Sequence, residues 1–219
     1  MSLSLAAGLD AGLEALALDL SHAQRQGLLD YLALLQKWNQ VYNLTAVRDP
    51  QAMLSHHLLD CLAVVAPLRA QLASTAVTAP IRLLDVGSGA GLPGLVLAIC
   101  LPQLQVDCVD TVAKKSSFIQ QAALSLGLAN LRGLHARVES LAAAYQVVSA
   151  RAFSSLPDLV TGSDKALLPD GLWMAMKGKT PDEEIQALPT QVQVFHVEPL
   201  QVPGLDAQRC IVWMRRAQR

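Results

Sequence analysis

The chain has 219 residues, of which 52% are apolar and 16% charged, with a formal net charge of −1. This make-up predicts one compact globular fold with room for a modest extension, and it excludes a disordered chain. The near-neutral charge also excludes a uniformly basic surface, so any contact with nucleic acid would depend on local basic patches.

Residues 1–75 have the pattern of a helical extension. A capping-box pattern begins at Ser21, and apolar residues then recur at helical spacing on one face. Residues 43–45 end this helix, and the Asp-Pro pair at 49–50 predicts the start of the next one. Residues 74–80, which are small, β-branched or proline, are expected to form a linker.

From residue 81 onward, strand and helix patterns alternate, which predicts right-handed crossovers and a mainly parallel sheet. The tail differs: residues 191–197 alternate with period two, and an apolar run at 210–214 follows with no helix between them, so we expect an antiparallel C-terminal hairpin. The predicted fold is α/β, with a seven-stranded, mostly parallel Rossmann-like core at 76–219 packed with the helical extension as one globular unit. The other predicted strands are 81–86, 104–109, 131–136, 145–150 and 171–177, and the predicted helices are 91–101, 113–126 and 155–168.

The most informative segment is residues 81–94, where an apolar run ends in Asp85 and then opens into glycines. A strand, a tight turn and a helix start in this order form the usual cradle for a nucleotide-like cofactor. The glycines allow positive φ and let the backbone approach a ligand closely. The next apolar run ends in Asp110, where an acid is placed to bind ribose hydroxyls.

The charge of Asp85 indicates which cofactor the turn holds. Pyrophosphate requires free backbone N–H groups and the positive end of a helix dipole, and an acidic lip beside the turn would repel it. The sulfonium and ammonium groups of S-adenosylmethionine complement the acid instead. Two alternatives stay open, namely a nicotinamide or flavin cofactor, and an Asp85 that only caps the turn through backbone amides.

Several short motifs follow one another in a fixed order. They are Lys37-Trp38-Asn39, Tyr42-Asn43-Leu44-Thr45, Arg48-Asp49-Pro50, His57-x-x-Asp60, the glycine segment from Asp85 to Gly94, Ser149-Ala150-Arg151-Ala152-Phe153 and Lys177-Gly178. With this set the chain resembles the bacterial 16S ribosomal RNA guanine-N7 methyltransferase G family, formerly called glucose-inhibited division protein B. The resemblance runs from about residue 20 to the C-terminus.

The resemblance implies the class I S-adenosylmethionine-dependent methyltransferase fold and methylation of guanine N7 in the conserved decoding-region loop of 16S rRNA, at guanine 527. It also implies that Gly87 and Leu92 contact the donor and that Val138 and Glu139 flank its adenine. Arg151 would belong to the same site. Together with the residues of the turn and the ribose-binding acid, the predicted cofactor-binding residues are Asp85, Gly87, Gly89, Gly91, Leu92, Asp110, Val138, Glu139 and Arg151.

Guanine N7 carries an in-plane lone pair and no proton, so its methylation requires no general base. We therefore expect catalysis by alignment of the reacting atoms, and the sequence identifies no catalytic base. Arg151 has two interpretations. Its planar guanidinium group is suited to holding a phosphate or the guanine edge, or else it pairs with Asp85 or Glu139 to shape the pocket.

Basic residues near the motifs are candidates for contact with RNA, although a solvated surface is the alternative for each. His56 and Asp60 lie four residues apart, but two ligands do not make a zinc site, so no metal is expected. The candidate RNA-contacting residues are Arg48, His57, Lys114, Lys115, Lys177 and Lys179.

The expected partner is 16S rRNA or an immature 30S subunit, bound by a monomer in the cytoplasm without membrane contact. Four widely spaced cysteines agree with a reducing compartment, and no apolar run is long enough to span a bilayer. The main alternative is a class I methyltransferase that acts on a small molecule or on another RNA. A nicotinamide-dependent dehydrogenase and a non-catalytic RNA-binding protein are further alternatives.

Overall fold

The computed structural model describes residues 4–73, 80–142 and 144–217. Its N-terminal part is helical, as predicted. The Ser21 hydroxyl accepts a hydrogen bond from Gln24 N while the Gln24 side chain accepts one from Ser21 N, so the predicted capping box is confirmed. The predicted linker at 74–80, and with it the boundary between 75 and 76, lies almost entirely outside the described residues. The helices of this part are α1 Leu5–Ala15, α2 His22–Tyr42, α3 Pro50–Met53, a π-helical turn Leu54–Leu59, α4 Asp60–Leu62 and α5 Val65–Ala73.

The seven strands form one sheet with the order β3-β2-β1-β4-β5-β7-β6. The first five strands are mutually parallel, whereas β7 runs antiparallel between β5 and β6, so the predicted C-terminal hairpin is confirmed. The strands are β1 Ile81–Val86, β2 Leu104–Asp110, β3 Leu131–His135, β4 Tyr145–Arg151, β5 Leu167–Lys177, β6 Val192–Leu200 and β7 Arg209–Arg216.

Two predicted helices are shorter than expected. The first begins only at Gly94, because the preceding glycines remain in the turn, and the third ends at Ser163. Ala166 precedes β5 and Leu167 is its first residue, so these two buried residues do not extend the helix. The strand therefore begins earlier than predicted. The remaining helices are α6 Gly94–Cys100, α7 Ala113–Ser125, a 3-10 turn Val138–Ser140, α8 Leu156–Ser163 and α9 Asp182–Gln186.

Buried apolar side chains form one cluster on each face of the sheet. The helical extension belongs to the larger cluster, in which Leu28 and Leu35 of α2 are buried together with Ile99 of α6 and Phe118 of α7. The packing of α2 therefore places the extension directly against the two helices that follow β1 and β2. None of the helices in the described ranges is long and apolar enough to cross a membrane.

Candidate active site

The turn after β1 depends on glycine at three positions. Gly87, Gly89 and Gly91 have φ angles of 64°, 57° and 86°, a region that side chains with a Cβ rarely adopt. The Gly87 N–H donates to the carbonyl oxygen of Val109 at 2.9 Å, which holds the turn against the end of β2. The predicted cradle is therefore present at the carboxyl end of the parallel strands, where α/β sheets bind their ligands.

Gly94 has a different role, which is close packing of α6 onto the sheet. A Cβ at this position would collide with Sγ of Cys108 and would lie 2.9 Å from Cβ of Asp85. The Gly94 N–H donates to Asp85 Oδ2 at 3.0 Å. The start of α6 is thus fixed directly on β1.

Asp85 lies beneath the turn, with no exposed surface, and this corrects the prediction of an acidic lip. Its second carboxylate oxygen accepts a hydrogen bond from the Ser149 hydroxyl of β4 at 2.9 Å. Burial raises the pKa of Asp85 to about 7, although the hydrogen bonds from Gly94 and Ser149 oppose this shift. The contacts of Asp85 in this structure agree with the alternative in which this residue caps the turn.

A cleft of about 290 Å³ opens beside the turn. It brings together four of the predicted cofactor-binding residues, Gly87, Asp110, Val138 and Glu139, although they come from three separate segments of the chain. Phe153 also lines the cleft. Its ring approaches Gly87 so closely that a Cβ on the glycine would lie 2.9 Å from the ring.

Asp110, the last residue of β2, is one of the charged residues that line this cleft. Its Oδ2 accepts a hydrogen bond from Gly89 N at 3.0 Å, and its Oδ1 accepts one from Val112 N at 2.9 Å. Lys115 Nζ lies 3.5 Å from Oδ2. A carboxylate offers about four lone-pair sites and these contacts use three of them, so Asp110 keeps the capacity to accept a hydroxyl group of a ligand.

The cleft has the chemistry that S-adenosylmethionine requires. A bare backbone at Gly87 allows close approach, the Asp110 carboxylate suits a ribose diol, and the apolar Val138 suits a flat adenine. The other five predicted cofactor-binding residues do not line the cleft; they are Asp85, Gly89, Gly91, Leu92 and Arg151. Leu92 is buried in the larger core cluster.

Arg151 instead contacts the helical extension. Its Nη1 donates to Asp60 Oδ2 at 3.0 Å and to the carbonyl oxygen of His56 at 2.9 Å. The predicted alternative pairing with Asp85 or Glu139 is therefore wrong. The sequence provided only a weak indication that Asp60 is the partner of Arg151, because Asp60 lies in one of the motifs shared with the family.

Two of the candidate RNA-contacting lysines have acidic partners in this structure. Lys177 Nζ lies 2.7 Å from Glu184 Oε2, and Lys115 faces Asp110 within the cleft. Lys114 and Lys179 are exposed to solvent. Lys114 and Lys179 therefore stay predicted candidates for contact with RNA, whereas Lys115 and Lys177 are partly neutralised.

The remaining two candidates, Arg48 and His57, behave differently. Arg48 is exposed and donates to Asn43 Oδ1 at 3.0 Å. His57 is buried, and its Nε2 lies 2.7 Å from the Thr45 hydroxyl. Burial and, to a smaller extent, the nearby Arg151 guanidinium together lower the pKa of His57 to about 4, so the ring is neutral at pH 7. A buried neutral imidazole does not act as a surface RNA contact, and this prediction is corrected.

Comparisons with known proteins agree with this architecture. The family model described as rRNA small subunit methyltransferase G matches residues 24–212. The chain belongs to this family. It is 64% identical to a protein named ribosomal RNA small subunit methyltransferase G from Paracidovorax citrulli, over 97% of this chain and 90% of the relative. A protein of the same name from Acidovorax ebreus is 63% identical over 97% of this chain and 96% of the relative.

A solved structure supports the fold independently of close sequence similarity. A SAM-dependent methyltransferase from Aquifex aeolicus superimposes with a TM-score of 0.53 at 17% identity, and the alignment covers 76% of this chain and 98% of that one. The chain is a class I methyltransferase with S-adenosylmethionine as its cofactor. The predicted family, fold class and cofactor are confirmed.

Proposed function

We propose that this protein transfers the methyl group of S-adenosylmethionine to N7 of guanine 527, in the decoding-region loop of 16S rRNA. The observation that carries the proposal is the family match over residues 24–212 together with relatives of the same name that are more than 60% identical over nearly the whole chain.

The chemistry of guanine N7 agrees with the residues that line the cleft. The bound donor supplies the methyl group, and N7 supplies its lone pair without losing a proton. The chain therefore needs to align the two reactants and to exclude water, and such positioning contributes about 7–11 kcal/mol to the lowering of a barrier. A strong base beside the guanine is unnecessary, so Asp110 and Glu139 are left to bind the donor.

Three predicted roles follow for residues of the cleft. Asp110 binds the ribose hydroxyls, and Val138 with Glu139 flanks the adenine. Gly87 provides the backbone surface on which the donor rests. Each of these residues lines the same cleft, which supports their joint assignment.

The test is mass-spectrometric mapping of N7-methylguanine in 16S rRNA from a strain with and without the gene. We expect the modification at guanine 527 to disappear with the gene and to return when purified protein and donor are added to small subunits from that strain. Transfer of methyl label to a metabolite, to another RNA or to another nucleotide would refute the proposal. A protein that binds the RNA but leaves it unmodified would refute it as well.

A further inference from the structure

A buried carboxylate joins two arginines at the carboxyl edge of the sheet. Asp60 is buried, and its Oδ2 accepts from Arg151 Nη1 at 3.0 Å while its Oδ1 accepts from Arg209 Nε at 2.9 Å. Arg151 ends the parallel strand β4, and Arg209 begins the antiparallel strand β7. Both residues therefore lie at the same edge of the sheet, although 149 residues separate Asp60 from Arg209.

This cluster carries an excess of one positive charge. Two guanidinium groups share one carboxylate, and within residues 4–73, 80–142 and 144–217 no other acidic side chain pairs with either arginine. Asp85 also interacts electrostatically with Arg151, but burial raises its pKa to about 7, so it carries only part of a negative charge at pH 7. His57 is neutral at pH 7 because burial lowers its pKa to about 4, and Lys177 is matched by Glu184.

The two arginine side chains are partly buried, and each already donates hydrogen bonds. Their side chains are 20% and 25% exposed, and the hydrogen bonds of the described residues use Nη1 of Arg151 and Nε and Nη1 of Arg209. Each guanidinium thus retains a terminal nitrogen, Nη2, for a ligand. A rigid fork of N–H groups that is held in place and partly desolvated is well suited to a phosphate.

The cluster also lies next to the donor cleft. Ala150 of β4 pairs with Val86, the last residue of β1, and Phe153 lines the cleft two residues after Arg151. We propose that Asp60 aligns Arg151 and Arg209 into one cationic site, and that this site binds a phosphodiester group of the substrate RNA beside the donor cleft. This inference rests on the proposed function, because it presumes an RNA substrate.

Arg209 is the better residue for the test, because Arg151 is also predicted to serve the donor. Each phosphate contact contributes about 0.7–0.9 to the slope of log K against log salt. We expect Arg209→Gln to weaken binding to small subunits about tenfold at low salt and to make the slope shallower by that amount. Arg209→Lys, which keeps the charge, should retain most of the slope. Calorimetry should give an unchanged affinity for S-adenosylmethionine in both variants.

Arg216→Gln is the matched control. Arg216 lies at the other end of β7 and also pairs with an aspartate, Asp164, with its Nη2 2.9 Å from Oδ1. Its loss should lower the melting temperature without changing the salt slope. Equal slopes for wild type, Arg209→Gln and Arg216→Gln would overturn the proposal and leave Asp60 as a purely structural link.

Asp60→Asn tests the positioning role with a different readout. The substitution removes the shared negative charge but keeps the shape of the side chain, so the site becomes more cationic and less well aligned. We expect kcat to fall at least tenfold while the affinity for RNA is maintained or increased. Loss of RNA affinity in parallel with kcat would contradict this role. Failure of the wild-type protein to methylate RNA would refute the proposed function instead, so the two failures are distinguishable.

Discussion

The carboxyl group of Asp85 is closed off from solvent by the turn that it supports. It holds Gly94 and Ser149 together and so joins α6, β1 and β4 at the base of the cleft. Because burial raises its pKa to about 7, this group changes charge near neutral pH. The residue therefore links the stability of the turn to pH.

We expect Asp85→Asn to flatten the dependence of stability on pH. Between about pH 4 and pH 7 the folded protein holds a proton on Asp85 that the unfolded chain has lost, so this group stabilises the fold at low pH and its contribution falls as pH rises through that window. The slope for a single group is at most about 1.4 kcal/mol per pH unit. Urea unfolding from pH 5 to pH 8 measures it, and parallel curves for wild type and variant would contradict the assignment.

The backbone of Gly87 lines the cleft. Alanine substitutions at Gly87 and Gly127 distinguish the effect of backbone strain from the effect of a Cβ that blocks the cleft. Gly87 and Gly127 have nearly the same φ, 64° and 66°, but a Cβ at Gly127 meets no atom within 4 Å, whereas one at Gly87 reaches the Phe153 ring. Gly127→Ala should destabilise the fold by about 1–2 kcal/mol, and Gly87→Ala by at least as much, because its Cβ also meets the Phe153 ring. Calorimetry should show at least tenfold weaker binding of S-adenosylmethionine for Gly87→Ala alone. Equal affinities would exclude Gly87 from the cradle.

Helix α2 forms hydrogen bonds to both ends of the segment that runs from the glycine turn to the end of α6. The Tyr31 hydroxyl donates to the carbonyl oxygen of Ala90 at 2.9 Å, within the glycine turn. The side-chain amide of Gln24 donates to the carbonyl oxygens of Ile99 and Cys100 at 3.0 and 3.2 Å. The helical extension therefore fixes the position of the turn beside the cleft that we propose as the donor site.

Removal of the Tyr31 hydroxyl should loosen the turn. Tyr31→Phe leaves the Ala90 carbonyl without this donor in a buried position, which costs about 0.5–1.5 kcal/mol of stability. We expect a three- to tenfold loss of affinity for S-adenosylmethionine in calorimetry. Tyr42→Phe, in the same helix but 41% exposed, serves as the control and should change neither quantity. A loss of stability without a loss of affinity would mean that α2 supports the fold but not the site.

The overall charge of the 219-residue chain limits how it can bind RNA. The net charge is −1, and several of the basic side chains at the carboxyl edge of the sheet already face carboxylates. A surface of this kind provides few free cations to attract an extended phosphate backbone. For the proposed substrate, we expect the shape of the ribosomal particle to contribute to recognition.

We therefore expect weak binding to naked 16S rRNA with a shallow dependence on salt, because few phosphates are contacted, and tighter binding to small subunits that lack the modification. Filter binding between 50 and 200 mM salt, with an unrelated RNA of equal length as control, measures both. Methylation should be faster on the particle than on the free RNA. Tight binding to naked RNA that persists at high salt would show that the low net charge does not limit RNA binding.

Features that depend on neighbouring residues were predictable from the sequence. The alternation of apolar runs fixed the order of strands and helices, and the glycine turn was identifiable because positive φ at Gly87, Gly89 and Gly91 is a local requirement. The ends of the helices were less predictable, because burial in the sheet decides whether a residue such as Leu167 extends a helix or begins a strand.

The environments of the charged groups required the folded chain. The sequence contains Asp60, Arg151 and Arg209, but their meeting depends on elements that are 91 and 149 residues apart. The sequence likewise placed Asp85 next to the turn without indicating that packing of Gly94 and Ser149 would bury it. Backbone conformation follows from local sterics, whereas solvation and charge pairing follow from which surfaces pack together.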